Sequence, residues 1–112
     1  MMLKPTRPLQ TPDEVCAEVL SLQLPDEIVR TLTRLYPETS WQQTDAHGWF
    51  GALNADDGWY EFRIGPDADH IWTIHTSHGA AGRSLIEEIC RALGLVAFDG
   101  QANRLVPARS DP

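Results

Sequence analysis

The stretch from Trp49 to Thr76, WFGALNADDGWYEFRIGPDADHIWTIHT, decides the fold class. Apolar and polar residues alternate through three segments, which are separated by NADDG and GPDAD, both rich in turn-forming residues. Such short connections cannot carry a crossover between parallel strands. The stretch therefore predicts three consecutive antiparallel strands, GWFGAL, WYEFRI and HIWTIHT.

The register of these strands can be predicted from the turns between them. A two-residue hairpin turn at Asp57-Gly58 places Leu53 opposite Phe62. Pairing Ile64 with His70 in the next hairpin makes apolar residues meet along one face of the sheet. The apolar face then carries Trp49, Leu53, Tyr60, Phe62, Ile64, Trp72 and Ile74. The opposite face carries Phe50, Trp59, Glu61, Arg63, Ile71, Thr73 and His75.

Two helix-start signals precede the sheet. The first is Thr11-Pro12-Asp13-Glu14, in which Thr11 can cap, proline suits the first helical position and Glu14 completes a capping box. The second is the near-repeat Pro25-Asp26-Glu27, which opens a helix that Pro37 ends. Apolar residues recur at helical spacing after each start. The segment SWQQT, from Ser40, is a further short strand candidate.

An amphipathic helix follows the three strands. Its apolar stripe ends at Gly94, which is a natural C-terminal capping residue. LVAF then reads as a last strand, and DGQANRLV as a turn with a short strand. We therefore predict an α+β fold with two N-terminal helices, an antiparallel meander of about four to five strands, and one C-terminal amphipathic helix followed by a short strand.

The chain of 112 residues is expected to form one domain. Residues 1–10 contain two prolines and no hydrophobic period, so we expect a flexible arm there, a domain over 11–107 and a flexible tail over 108–112. The absence of a secretory h-region and of a long apolar run predicts a cytoplasmic protein. Cys16 and Cys90 fall on the apolar sides of predicted helices, which is typical of buried thiols.

The charge of the chain favours some partners over others. Sixteen Asp and Glu oppose nine Lys and Arg, which gives a formal net charge of −7. That balance disfavours nucleic acids and anionic membranes, because both require clustered cations. The acids concentrate between Glu38 and Asp69, where seven carboxylates and the single cation Arg63 give a net charge of −6. The expected partner is another protein of basic character.

Trp59 is the tryptophan that core packing explains least, because its predicted face also carries Glu61, Arg63 and His75. An exposed tryptophan ringed by charge is typical of a protein-binding hot spot; the alternative is that an N-terminal helix covers it. The candidate partner-binding residues are Trp59, Glu61, Asp56, Asp57, Asp67, Asp69 and His75. No nucleophile motif accompanies the Glu61 and His75 pair, and no set of three metal ligands is evident, so we predict no catalytic residue, metal or cofactor.

The segment HGAAGRSL leads into the C-terminal helix and contains Gly79, Gly82 and Arg83. It lacks both GxxxxGK[ST] and GxGxxG. It resembles the pyrophosphate loop of the GNAT acetyltransferases, although the glycine spacing of that loop is only partly present. The resemblance implies a phosphate- or acyl-CoA-type ligand held by helix N–H groups and Arg83. The simpler interpretation is a tight strand-to-helix turn.

Three functional hypotheses follow from the sequence. The first is a small acidic protein-binding module, of the physical type of immunity proteins and antitoxins, that inhibits a basic partner. The second is a ligand-binding protein or enzyme that uses Gly79–Arg83 for a phosphate group. The third is a structural homodimer built on the exposed face or edge of the sheet.

Overall fold

The computed structural model describes residues 1–7, 9, 12–55, 58–77, 83–99 and 104–106. These residues form an α+β fold with one antiparallel sheet and two α-helices. The strands are β1 (Met2–Leu3), β2 (Ser40–Gln43), β3 (Trp49–Ala55), β4 (Gly58–Ile64), β5 (Ile71–Thr76), β6 (Val96–Asp99) and β7 (Arg104–Val106), and the helices are α1 (Pro25–Leu35) and α2 (Arg83–Leu93).

The strand order of the sheet is β2-β3-β4-β5-β1-β6-β7. The predicted meander is confirmed, because β2 to β5 are neighbours in chain order and pair antiparallel. The predicted number of strands was too low. The strand that the sequence did not predict is β1, which the start of the chain supplies between β5 and β6, whereas β7 lies within the segment predicted as a turn with a short strand.

The predicted register of the first hairpin was wrong by two residues. Ala55 pairs with Gly58 and Leu53 with Tyr60, so residues 56 and 57, which lie outside the described part, connect the strands. Gly58 begins β4 with φ +141° instead of closing the turn. A backbone with this φ is open to glycine and strained for other residues.

The second hairpin is also shifted by two residues, but in the opposite sense, because the β5 partner of Tyr60 lies later in the chain than predicted, whereas its β3 partner lies earlier. Tyr60 pairs with Thr76 rather than with Ile74, because Asp69 exchanges two backbone hydrogen bonds with Gln23, at N···O distances of 2.7 and 3.2 Å. Asp69, near the end of the connection between β4 and β5, is thereby paired with the segment that precedes α1. Since both shifts are of two residues, every strand side chain keeps its predicted face.

The expected helix after Thr11 is wrong. Two short 3₁₀ turns, Pro12–Glu14 and Ala17–Val19, stand in its place. The backbone of Val19 accepts a hydrogen bond from Thr6 at 2.7 Å, and Ser21 donates to Lys4 at 2.7 Å. Because these extended pairings and the burial of Leu20 compete with a short helix that is costly to nucleate, tertiary contacts override the helix-start signal.

The start of the chain, which we expected as a flexible arm, lies partly inside the sheet. β1 pairs with β5 on one side and with β6 on the other, and both of its residues are buried. Met1 extends this pairing, because its backbone carbonyl accepts a hydrogen bond from Phe98 at 2.8 Å. The expected tail at 108–112 lies outside the described residues, and the domain boundaries stay a prediction.

Among the described residues, the hydrophobic core has two parts, one on each face of the sheet. On the inner face, α1 and α2 pack on the strands through Ile28, Leu32, Leu53, Tyr60, Phe62, Ile64, Trp72, Ile89 and Cys90. On the outer face, Leu3 of β1 packs with Leu9, Val19 and Leu20, and Val96 and Phe98 of β6 border this second cluster. The N-terminal segment therefore covers the outer face at β1 and β6.

Both α-helices follow their sequence signals. α1 begins at Pro25 without a side-chain cap, with Asp26 and Glu27 in the first turn where the helix dipole favours acids. α2 ends at Gly94, which has φ +69° and lets Leu95 donate to the Cys90 carbonyl at 2.8 Å. The start of α1 and the end of α2 are thus determined by the residues at those positions.

The Tyr36 hydroxyl joins the two helices. It follows the last residue of α1 and donates a hydrogen bond to the Glu88 carboxylate on α2. Burial, together with Glu88, raises the pKa of Tyr36 above its ordinary value of 10.0. The neutral phenol is therefore the form that holds this contact up to strongly alkaline pH.

The two cysteines differ in exposure, although the sequence predicts that both are buried. Cys16 is exposed because its predicted helix is absent, whereas Cys90 is buried in the inner core. Burial raises the pKa of the Cys90 thiol from 9.0 to about 12. Since the thiolate is the reactive form, the two side chains are expected to react at very different rates.

We expect one equivalent of a thiol reagent such as DTNB to react rapidly with the native protein at mildly alkaline pH. A second equivalent should react only after unfolding in guanidinium chloride. The Cys16→Ser variant is the matched control and should lose the rapid equivalent. Two rapid equivalents in the native protein would contradict the burial of Cys90.

Candidate functional site

The candidate site is the part of the sheet that neither core cluster covers among the residues that the structure describes. We call it the β3–β5 outer face and define it by its outward side chains: Phe50, Ala52 and Asn54 of β3; Trp59, Glu61 and Arg63 of β4; and Ile71, Thr73 and His75 of β5. Six of these residues are exposed and the other three are partly buried. Both helices pack on the opposite face.

Trp59 has a fixed backbone and an exposed side chain. Its N–H donates to the Ser77 hydroxyl at 3.1 Å, and its carbonyl accepts from the Ser77 N–H at 3.1 Å. The residue is nevertheless 44% exposed. The alternative that an N-terminal helix covers Trp59 is wrong, because the N-terminal segment packs over Leu3 instead.

Glu61 lies at the centre of the β3–β5 outer face. It pairs with Ala52 on β3 and with His75 on β5. The sequence placed Glu61 diagonal to His75, and the shifted register makes the two residues directly opposite. A carboxylate and an imidazole are thus adjacent on an exposed strand pair, which is common as a surface pairing.

Arg63 contacts two other side chains of the face. Its Nη2 lies 3.4 Å from Oε1 of Glu61, and its Cζ lies 5.7 Å from the centroid of the Phe50 ring. The arginine therefore lies between a carboxylate and an aromatic ring. The cation–π contact with Phe50 went unpredicted, because it depends on cross-strand pairing that the sequence placed two residues away.

The candidate carboxylates that the structure describes, Asp67 and Asp69, do not join Glu61. Asp67 and Asp69 are exposed in the connection between β4 and β5. This connection follows the C-terminal end of β4, whereas Trp59 lies near the N-terminal end of that strand. Asp69 accepts a hydrogen bond from the His70 N–H at 2.7 Å, a turn-forming contact. Asp56 and Asp57 lie outside the described residues. The acids with known positions therefore frame the face and do not form one pocket.

The structure gives little on the alternative anion site. α2 begins at Arg83, but Gly79, Gly82 and the side chain of Arg83 lie outside the described part of the chain. Within that part, no group of three His, Cys, Asp or Glu side chains is arranged to hold a metal ion. Neither described α-helix combines the length and apolarity needed to cross a membrane.

Two shallow clefts lie next to Gln23, away from Trp59. One has an empty volume of about 210 Å³ and is lined in part by Lys4, Glu27 and Leu93. The other, of about 170 Å³, is lined in part by Ile64 and Asp67. Since these volumes include open solvent, the space that each cleft encloses is far below the volume of about 300 to 1,000 Å³ of pockets that usually bind small molecules.

Comparisons with protein-family models, curated protein sequences and solved structures give no significant match to this chain. The chemistry and exposure of the β3–β5 outer face therefore carry the functional inference.

Proposed function

We propose that this chain binds a basic protein through the β3–β5 outer face. By covering the basic surface of that partner, the chain inhibits it. The observation that supports the proposal most directly is Trp59, which is 44% exposed on β4, a strand paired on both sides. Tryptophan is enriched among the residues that dominate interface energies. A strand also presents its side chain with little loss of backbone entropy on binding.

Charge complementarity supports a basic partner. The segment from Glu38 to Asp69 contains all of β2, β3 and β4 and has a net charge of −6. Its exposed carboxylates include Glu38, Asp45, Asp67 and Asp69. An acidic field of this kind accelerates encounter with a cationic surface and repels a second copy of the same chain.

A Trp59→Ala variant is expected to weaken the complex by about 2 kcal/mol or more, because an exposed tryptophan in an interface centre is a typical hot spot. Partners captured from extracts of the source organism are identified by mass spectrometry, purified, and titrated with each variant by calorimetry. Leu22→Ala is the matched control, since Leu22 is 56% exposed but lies in the segment before α1.

Charge reversal tests the electrostatic part of the proposal. Asp56→Lys combined with Asp57→Lys is expected to slow association, and the wild-type complex should weaken from low to high salt. The proposal fails if every purified partner binds the Trp59→Ala and charge-reversed chains as tightly as the wild type. A homodimer in light scattering that Trp59→Ala dissociates would instead support the structural homodimer.

The ligand-binding hypothesis has a separate test. Thermal-shift measurements with CoA and nucleotides are expected to show no stabilisation if the chain acts only through the β3–β5 outer face. A stabilisation that Arg83→Ala abolishes would instead favour an anion site at the start of α2.

A further inference from the structure

We infer that the β3–β5 outer face contains a subsite for an arginine of the partner, formed by the Trp59 ring and the Glu61 carboxylate, and that Arg63 occupies Glu61 until the partner displaces it. This inference rests on the proposed function and specifies the chemistry of its contact. It also makes Arg63 a competitor of the partner, so that removal of Arg63 is expected to strengthen binding, whereas removal of an ordinary interface residue weakens it.

The spacing of Trp59 and Glu61 suits a guanidinium group. They are alternate residues of β4 and share one face, so their Cα atoms are about 6.5 to 7 Å apart. A guanidinium stacked within about 6 Å of the Trp59 ring centroid can also donate to the Glu61 carboxylate. Tryptophan is the aromatic side chain that binds cations most strongly.

Ala52 leaves room for this approach. It is exposed and pairs directly with Glu61 across β3 and β4. Its side chain is a single methyl group, so the Glu61 carboxylate is open on the β3 side. Asn54 lies on β3, like Ala52, and pairs with Trp59 across the two strands. It is exposed and adds a polar side chain at the border of the subsite.

Arg63 shows the same recognition chemistry within the chain. Its guanidinium contacts the Glu61 carboxylate and lies over the Phe50 ring, with Cζ 5.7 Å from the ring centroid. The ion pair is weak, because its N···O distance is 3.4 Å and the two side chains are 56% and 32% exposed. Arg63 is also the one Lys or Arg between Glu38 and Asp69, so its removal leaves that segment without a cationic Lys or Arg.

An arginine fits this arrangement better than a lysine. The guanidinium is planar, stacks on aromatic faces and pairs with carboxylates through two parallel N–H groups. The lysine ammonium is a compact, strongly hydrated charge without a stacking face. A tetra-arginine amide is therefore a suitable probe, and a tetra-lysine amide of equal charge is its control.

The experiment is a titration of the ¹⁵N-labelled protein with each probe at low salt, followed by NMR. Tetra-arginine is expected to shift the Trp59 indole and the Glu61 amide, and to bind more tightly than tetra-lysine. Arg63→Gln should tighten binding by about two- to fivefold, as expected for loss of a competing exposed ion pair. Trp59→Ala and Glu61→Gln should each weaken it by about fivefold or more.

Ala52→Lys provides a blocking variant at an exposed position. It places a permanent ammonium beside Glu61 and is expected to abolish the Trp59 shift while circular dichroism stays unchanged. Leu22→Ala should bind like the wild type. The inference is overturned if Arg63→Gln binds no more tightly than the wild type, or if the shifts centre on Asp45, Asp67 and Asp69.

The same variants separate this inference from the proposed function. If a purified basic partner needs Trp59 but binds Arg63→Gln no more tightly, the arginine subsite is wrong and the protein-binding function stands. If no partner responds to Trp59→Ala, both fail. A homodimer that Arg63→Gln dissociates would assign Arg63 to a contact between two copies and would also overturn the inference.

Discussion

A Leu3→Asp variant is expected to be largely unfolded at room temperature. Leu3 is 0% exposed, in the strand that lies between β5 and β6. An unpaired carboxylate at this position costs several kcal/mol unless it is protonated. Since domains are stable by about 5 to 15 kcal/mol, this cost removes much or all of the stability.

The effect is large because β1 joins the two parts of the sheet. It pairs with β5 through Trp72 and Ile71 and with β6 through Ala97 and Val96. Leu3 also anchors the outer cluster formed with the segment from Leu9 to Leu20. Displacement of β1 would therefore expose two strand edges and uncover apolar side chains on both faces.

Chemical denaturation followed by circular dichroism measures this effect. Leu3→Ala supplies a milder step and is expected to cost about 2 to 5 kcal/mol, as large-to-small changes in cores do. Leu22→Asp makes the same chemical change at an exposed leucine and should cost little. Equal stability of Leu3→Asp and Leu22→Asp would show that β1 is not part of the stable sheet.

A Gln23→Ala variant is expected to lose about 3 kcal/mol of stability. Gln23 is a buried polar side chain, 5% exposed, and both polar atoms of its amide are hydrogen-bonded. Its Nε2 donates to the carbonyls of Met2 and His70, each at 3.0 Å, and its Oε1 accepts from Nε1 of Trp72 at 2.8 Å. Alanine leaves these buried groups without that partner, at a cost of about 1 to 3 kcal/mol for each group that water does not reach.

The Trp72 indole allows a double-mutant test of this network. Trp72→Phe removes the orphaned N–H, so it should cost less in the Gln23→Ala background than in the wild type. Gln42→Ala, at an exposed glutamine of β2, is the control and should stay within about 0.5 kcal/mol of the wild type. If Gln23→Ala falls within the same range, the hydrogen bonds of Gln23 do not contribute to stability.

Local patterns were sufficient for the parts of the fold that depend on neighbouring residues. The alternation in β4 and β5 predicted which side chains face the core, because a strand turns alternate residues to opposite faces. Pro25 and Gly94 predicted a beginning and an end of the helices through backbone conformations that these residues favour. The exposure of Trp59 followed from the charged residues that share its face.

Residues distant in sequence decided the remaining features. The helix-start signal at Thr11 was overridden because residues 4–6 pair with residues 19–21. The register of β5 was wrong because Asp69 pairs with Gln23, which is 46 positions earlier in the chain. Neither pairing is visible as a pattern in the sequence. Both are formed by backbone N–H and C=O groups, which do not depend on the side chain.

The sequence by itself determined the fold class, the faces of β3, β4 and β5, the acidic character of the chain and the tryptophan that packing leaves outside. Only the tertiary structure decided that β1 enters the middle of the sheet, that Gln23 joins Met2, His70 and Trp72, and that Arg63 lies between Glu61 and Phe50. The reason is physical. Periodicity and turn chemistry act over a few residues. Strand order and cross-strand contacts depend instead on backbone pairing and apolar burial between residues that are far apart in the chain.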